Sequence, residues 1–213
     1  MDVAVSLVQA YLNVNGYFTV AEYPVLEVYS SIHARMATDF DILAFRFPGA
    51  GRVKNSPTRK QTFGDVLYEP DPVLKCPQGR SDMIVAEVKE GRPEVNPAAW
   101  NPLVMAAALT RFGCCPPEHA PDVVTKLLKN GQTSTSEGHI IRMMAFGRSA
   151  DGEGSNRYQT IPLAHVVAFL RDHLREHWQT LRHTQFKDQT IALLALLEKV
   201  SYSRDALPGT RPT

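Results

Sequence analysis

An apolar run near the middle of the chain ends in an acidic and a basic side chain whose spacing could support metal-dependent chemistry. The run is Met83 to Val88, and it contains Glu87 two positions before Lys89. Successive side chains on a β-strand point to opposite faces, so Glu87 and Lys89 would share one face and the intervening apolar residues the other. Such charges are costly in an apolar strand unless each finds a partner or an ion.

A second carboxylate precedes an earlier apolar run. Asp41 stands directly before Ile42-Leu43-Ala44. If the two runs form neighbouring strands, Asp41, Glu87 and Lys89 come together with a formal charge of minus one. Carboxylate oxygens suit a hard cation such as Mg²⁺ or Mn²⁺ better than zinc. The pattern therefore predicts a hard-cation site, with an ordinary cross-strand ion pair as the alternative.

The elements that would position these side chains follow from hydrophobic periodicity and turn residues. A helix is predicted over residues 3–15, with Gly16 as a left-handed C-terminal cap, followed by strands over 18–28 and 39–47. Beyond Lys89 we expect helices over 96–112 and 121–129, a strand over 139–146 and a loop over 148–159. Two further helices are expected over 162–183 and 185–200, the first with Thr160 as a possible N-cap. This order predicts an α/β protein.

The same order resembles the PD-(D/E)XK nuclease superfamily, which includes restriction endonucleases and archaeal-type Holliday-junction resolvases. The resemblance covers roughly the first half of the chain. It implies a restriction-endonuclease-like αβββαβ core, a mixed sheet flanked by helices, followed here by C-terminal helices. The family's metal-binding Asp falls on Asp41, and its Glu-x-Lys falls on Glu87 and Lys89.

What the resemblance implies chemically is hydrolysis of DNA phosphodiesters by an endonuclease. Asp41, Glu87 and the backbone carbonyl of Val88 would hold Mg²⁺ or Mn²⁺. The metal would lower the pKa of a bound water and stabilise charge on the phosphoryl oxygens. Lys89 would orient that water or offset transition-state charge.

The first helix departs from the family pattern. Many relatives carry a Glu there that completes the metal shell, whereas residues 3–15 contain no acid, and Gln9 is the nearest polar substitute. Glu22, in the next predicted strand, is a further candidate metal ligand, and a solvated strand carboxylate is the alternative. The alternative function is therefore a catalytically inactive nuclease-like module that binds nucleic acid or a protein partner.

Length and charge limit how the chain could bind DNA. Its 213 residues, 44% of them hydrophobic, predict a single domain over residues 1–200 with a flexible tail over 201–213. The net charge of only +1 provides no strong basic field, so contact with nucleic acid must be local. The candidates lie in the long connection 48–80, which is either a phosphate-contacting flap or a solvated insertion. They are Arg52, Lys54, Arg59 and Lys60.

Cysteine spacing and hydropathy favour a cytoplasmic protein. Cys76, Cys114 and Cys115 lack a metal-ligand spacing, and adjacent cysteines rarely form a structural disulfide with each other. No apolar stretch approaches the roughly 20 residues needed to span a membrane, and the N-terminal residues lack a basic signal-peptide region.

Two features of the predicted C-terminal helices have open interpretations. His173 and His177 are four residues apart, a spacing that can chelate zinc, but no third ligand is evident and solvent-exposed histidines are the alternative. The leucine-rich last helix could pack on the sheet or on another subunit. A homodimer would suit cleavage of two DNA strands.

Overall fold

A computed structural model describes residues 2–30, 33–54, 65–67, 69–148, 157–181 and 186–205. Within these ranges the helices are α1 Val3–Val14, α2 Pro102–Arg111, α3 Ala120–Asn130, α4 Leu163–Glu176, α5 Trp178–Leu181 and α6 Gln189–Asp205. The strands are β1 Phe18–Ser30, β2 His33–Arg46, β3 Arg52–Lys54, β4 Asp65–Leu67, β5 Asp82–Val88, β6 Gln132–Ser134, β7 Ile140–Gly147 and β8 Gln159–Pro162. Short 3₁₀ turns occur at Pro72–Leu74 and Pro97–Trp100. The chain is an α/β protein, as the sequence predicts.

Six of the described strands form one mixed sheet. Its order is β1-β2-β5-β7-β6, and β8 also pairs with β7. The pairs β1–β2 and β2–β5 are antiparallel, whereas β5 and β7 run parallel. A parallel pair needs a long crossover connection, and α2 and α3 lie in it. Strands β3 and β4 form a separate two-stranded sheet.

Helices cover both faces of the sheet, so the central strand β5 is buried on both sides. Ile84 and Ala86 belong to the core formed with α1, α4 and α6. Met83 and Val85 belong to the opposite core, formed with α2 and α3. By alternation Glu87 points to the side of Met83 and Val85. The predicted facing of Ile84, Ala86 and Val88 into one core is confirmed.

Several predicted elements are confirmed within a few residues of their limits. These are α1, β1, α3 and β7. Gly16 has a φ of 85°, the left-handed conformation expected of a residue that ends a helix. Strand β2 begins six residues earlier than predicted, at His33, because it continues as the partner of β1.

The single helix predicted over 96–112 is wrong. A 3₁₀ turn at Pro97–Trp100 comes first, and α2 begins only at Pro102. Asn101, between them, has extended backbone angles of −71° and 119°, since a residue before proline is disfavoured in the helical region. Its side chain accepts a hydrogen bond from the N–H of Leu103 and so caps α2.

The helix predicted over 162–183 begins within one residue of its predicted start, but its predicted N-cap and its predicted end are wrong. Thr160 lies in β8, which pairs with β7, and Pro162 occupies the N-cap of α4 without a side-chain cap bond. The helix predicted over 162–183 ends at Glu176 and is followed by α5. Helix α6 continues to Asp205, into the segment predicted as a tail, and residues 206–213 lie outside the described ranges.

The connection 48–80 contains β3, β4 and the turn Pro72–Leu74. Arg52 and Lys54 begin and end β3, whereas Arg59 and Lys60 lie outside the described residues. All three cysteines are free thiols, as expected. In the described parts of the chain, no helix combines the length and the apolar character needed to cross a membrane.

Candidate active site

The three residues predicted to act together are in contact. The Nζ atom of Lys89 lies 3.3 Å from Oδ2 of Asp41 and 3.2 Å from Oε2 of Glu87. Antiparallel pairing of β2 with β5 brings them together, because it places the end of β5 beside the middle of β2. The predicted convergence of these side chains is therefore observed, whatever their role.

Asp41 reaches this position through an irregularity in β2. The ladder between β2 and β5 ends at the pair Ile42–Ala86. Beyond it, the Oδ2 atom of Asp41 accepts a hydrogen bond of 2.7 Å from the N–H of Val88. Phe40 and Ile42 are two residues apart but pack into opposite cores, so the strand's alternation reverses at Asp41. The carboxylate thus replaces a backbone acceptor in the ladder.

Glu22 and Asp41 lie between the β1–β2 register pairs Ala21–Ile42 and Tyr23–Phe40. The φ of 52° at Glu22 is in the left-handed region, where non-glycine residues are uncommon. Its Oε1 atom accepts a hydrogen bond of 3.2 Å from the N–H of Asp2, so the carboxylate is directed to the start of α1. Gln9 donates to Oγ1 of Thr19 at 3.0 Å. The structure therefore places the backbone of Glu22 beside Asp41, while its carboxylate binds the start of α1.

Glu87 is the most deeply buried group of the cluster. Its side chain is only 2% exposed, and among the described residues its Oε1 atom has no hydrogen-bond partner. Burial and, to a smaller extent, the nearby charge of Asp41 raise the pKa of Glu87 to about 7, against the opposing effects of Lys89 and of the backbone of Asn96. A buried carboxylate oxygen without a partner is unfavourable, so this position favours either a proton or a cation.

Lys89 remains the charged member of the cluster. Its side chain is 42% exposed, and burial alone would disfavour the ammonium. The carboxylates of Glu87 and Asp41 outweigh that effect and raise the pKa of Lys89. The ammonium group is therefore held between two acids at the edge of the site, with one side open to solvent.

The backbone of β5 contributes to the site as well. Val88 donates its N–H towards Asp41, and the N–H and C=O of one strand residue point to the same side. The carbonyl of Val88 is therefore directed towards the Asp41 side. The next N–H, that of Lys89, donates to the carbonyl of Phe146 on β7 at 2.9 Å. Asp41, Glu87 and the Val88 carbonyl together offer oxygen ligands.

An open cleft of about 600 Å³ gives access to Lys89. Its walls come from the loop that follows β5, between Lys89 and Pro97. The N–H of Arg148 donates to the carbonyl of Gly91 at 2.7 Å, and Pro93 packs directly against Gly147. These contacts hold the loop against the end of β7.

The donor set is compatible with a hard cation that keeps much of its water. In the described residues, no group of three or more His, Cys, Asp or Glu side chains is arranged to hold a metal. Asp41 and Glu87 supply two carboxylates, and the Val88 carbonyl a third oxygen. Mg²⁺ commonly binds through one or two carboxylates and retains several waters. The orphaned Oε1 of Glu87 fits such an ion.

Sequence reasoning missed two buried polar networks elsewhere in the sheet. Asp82, at the start of β5, is 1% exposed and pairs with Arg142 at 2.6 Å while accepting a hydrogen bond from the Tyr17 hydroxyl. An arginine inside the apolar run 140–146 was a sign that such a partner exists. Asp71 accepts a hydrogen bond from the Tyr11 hydroxyl at 2.6 Å and lies 2.6 Å from Nε2 of His165. Both networks join elements that are distant in sequence.

Comparison of the chain with protein-family models, with curated proteins and with solved structures finds no match. Any functional interpretation therefore depends on the geometry of the site.

Proposed function

We propose that this protein is a metal-dependent endonuclease that hydrolyses DNA phosphodiesters. The observation that supports it most directly is Glu87, which is buried, lacks a partner for Oε1 and lies beside Asp41 and Lys89. A purely structural ion pair would leave the buried oxygen unsatisfied, at a cost of about 1–3 kcal/mol. A divalent cation would supply the missing partner and offset the negative charge of both acids.

The topology supports assignment to the PD-(D/E)XK fold. Helix α1 is followed by the antiparallel strands β1, β2 and β5, and β7 then adds in parallel after the crossover helices. This agrees with the αβββαβ order that the family resemblance implies. In this proposal β3 and β4 belong to an insertion between the second and third core strands.

Each residue of the cluster has a distinct role in the proposed reaction. Asp41, Glu87 and the Val88 carbonyl bind Mg²⁺ or Mn²⁺. The bound ion would supply a water of lowered pKa and stabilise charge on the phosphoryl oxygens. Lys89 lines the cleft, where its ammonium would orient the attacking water or offset charge on the scissile phosphate.

The raised pKa of Glu87 makes cation binding pH-dependent. A carboxylate ligand must lose its proton before it binds a metal, and burial raises the pKa of Glu87 to about 7. Below that pH the proton competes with the cation. We therefore expect cleavage activity and metal affinity to fall together as the pH decreases through 7.

Contact with DNA would depend on local charge, since the chain as a whole is nearly neutral. The predicted phosphate contacts are Arg52 and Lys54 on β3, with Arg59 and Lys60 in the adjoining segment. Each phosphate contact that is lost should reduce the slope of the logarithm of DNA affinity against the logarithm of salt concentration by about one.

A non-catalytic module that binds nucleic acid or a protein is the second candidate. It is favoured by the small donor set, because α1 has no acid and the described residues contain no group of three ligands for a metal.

The test compares cleavage of linear, supercoiled, branched and single-stranded DNA in Mn²⁺ by the wild type and three variants. Asp41→Asn, Glu87→Gln and Lys89→Met should each reduce cleavage by about 10²-fold or more. Lys126→Met is the matched control, because Lys126 lies exposed on α3 and pairs only with Asp122 along the helix. Circular dichroism establishes that each variant is folded.

Two outcomes would contradict the proposal. Full activity in all three site variants would show that the reaction occurs elsewhere. A folded wild type that cleaves none of the substrates and binds no Mn²⁺ would favour the non-catalytic module.

A further inference from the structure

Two histidines lie close together at the C-terminal end of α4. His173 is in the last turn and His177 is the C-cap residue, and their ring centroids are 4.7 Å apart at an interplanar angle of 62°. Both rings line a cavity of about 490 Å³. Helix α4 packs on the sheet face opposite the one that Glu87 occupies. This cavity is therefore distinct from the candidate active site.

Aromatic packing fixes the His173 ring in place. The ring stacks on Phe169 with 6.2 Å between centroids and 23° between planes. Phe169 in turn packs edge-on against Tyr11 of α1 at 5.4 Å. A ligand whose orientation is fixed by its surroundings loses little conformational freedom when it binds an ion.

Acidic side chains around the cavity could supply oxygen ligands. Glu69, Asp172 and Glu176 also line it, and the C-terminal end of a helix carries partial negative charge. The neutral imidazole is the form of histidine that binds metals.

The ligand chemistry differs from that of the Asp41 and Glu87 pair. Residues three and four apart share one face of a helix, so His173, Glu176 and His177 are neighbours. Paired imidazoles suit Zn²⁺, Ni²⁺ and Cu²⁺, whereas Mg²⁺ and Mn²⁺ prefer oxygen ligands. This cavity should therefore select a different class of ion from the one proposed for the active site.

We propose that His173 and His177 form a second metal site that binds Zn²⁺ or a related transition-metal ion, with Glu176 and Glu69 as additional ligands. In the described residues no three of these side chains are already grouped for coordination. The glutamates approach when the ion binds, and water fills the remaining positions. Bound metal would join the end of α4 to the segment that precedes the turn Pro72–Leu74.

Zinc binding is measured with the full chain by competition against a chromophoric chelator. The wild type should bind one equivalent of Zn²⁺ at this site, and His173→Gln and His177→Gln should each lower the affinity at least about tenfold. His119→Gln is the matched control, since His119 precedes α3 and contacts Ser136 outside the cavity. Glu87→Gln separates the two proposed sites, and it should leave zinc binding at the histidines unchanged.

A second measurement avoids substitution at the end of the helix. Zn²⁺ should shift the NMR ring resonances of His173 and His177 in the wild type, and EDTA should reverse the shift. Unchanged affinity in both histidine variants, or ring shifts confined to other histidines, would overturn the proposal.

Discussion

Replacing Glu87 with glutamine separates the cost of burying a charge from the other contributions of this side chain to stability. Burial raises the pKa of Glu87 from 4.5 to about 7 in the folded protein. Between these values the folded chain binds more protons than the unfolded chain, so the free energy of unfolding falls as the pH rises. This contribution of protonated Glu87 to the free energy of unfolding is fully present below pH 4.5 and is lost above pH 7.

The size of the effect follows from the same two pKa values. Each pKa unit corresponds to about 1.4 kcal/mol, so the rise from 4.5 to about 7 corresponds to about 3 kcal/mol. Glutamine has nearly the same shape and no titrating proton. The difference in unfolding free energy between Glu87→Gln and the wild type should therefore change by about 3 kcal/mol in favour of the variant between acidic and mildly alkaline pH.

Urea denaturation in EDTA across this pH range measures the difference directly. Glu94→Gln is the control, because Glu94 is 63% exposed in the loop beside the same cleft. The free energy of unfolding of this variant should depend on pH as that of the wild type does. Adding Mn²⁺ above pH 7 should stabilise the wild type. At a concentration one hundred times the dissociation constant, the free energy of unfolding should increase by about 2.7 kcal/mol. The free energy of unfolding of Glu87→Gln should not change. If the difference in unfolding free energy between Glu87→Gln and the wild type stays constant with pH, the electrostatic argument is refuted.

Two further substitutions test the buried ion pair at the start of β5 and the packing of the loop beside the cleft. Arg142→Met should cost about 3–5 kcal/mol in urea denaturation, because it leaves Asp82 as a buried charge, and adding Asp82→Leu should recover part of that loss. An equal loss in the single and double variants would argue against this cause. Gly147→Ala would bring a Cβ to 2.6 Å from the Pro93 backbone nitrogen, so it should displace the cleft loop and lower both stability and cleavage. Gly91→Ala is the stability control, because a Cβ at Gly91 would point into open space. Equal destabilisation by Gly147→Ala and Gly91→Ala would contradict the steric argument.

The composition of the candidate site could be predicted from sequence, but its geometry could not. Alternation along β5 was sufficient to place Glu87 and Lys89 on one face, away from Ile84. The bond from the Val88 N–H to Asp41 depends on a reversal of alternation in β2, beside a left-handed residue in β1. That left-handed residue is a glutamate, and no glycine or asparagine marks the position in the sequence.

The errors in secondary structure have different physical causes. The break before α2 was predictable, since Pro102 restricts Asn101 to extended conformations. Strand β8 was not, because its four residues carry too little periodicity to specify a strand. Its conformation depends on pairing with β7, which is a tertiary contact.

Strand β5 shows why burial alone does not identify a functional carboxylate. Asp82 at its start and Glu87 near its end are buried to almost the same degree, 1% and 2% exposed. Asp82 has the guanidinium of Arg142 and the hydroxyl of Tyr17, so protein groups satisfy its charge. Glu87 has the half-exposed Lys89 on one oxygen and, among the described residues, no partner on the other. The folded chain stabilises the first acid by itself, whereas the second requires a proton or a cation, and this difference makes Glu87 the stronger candidate for chemistry.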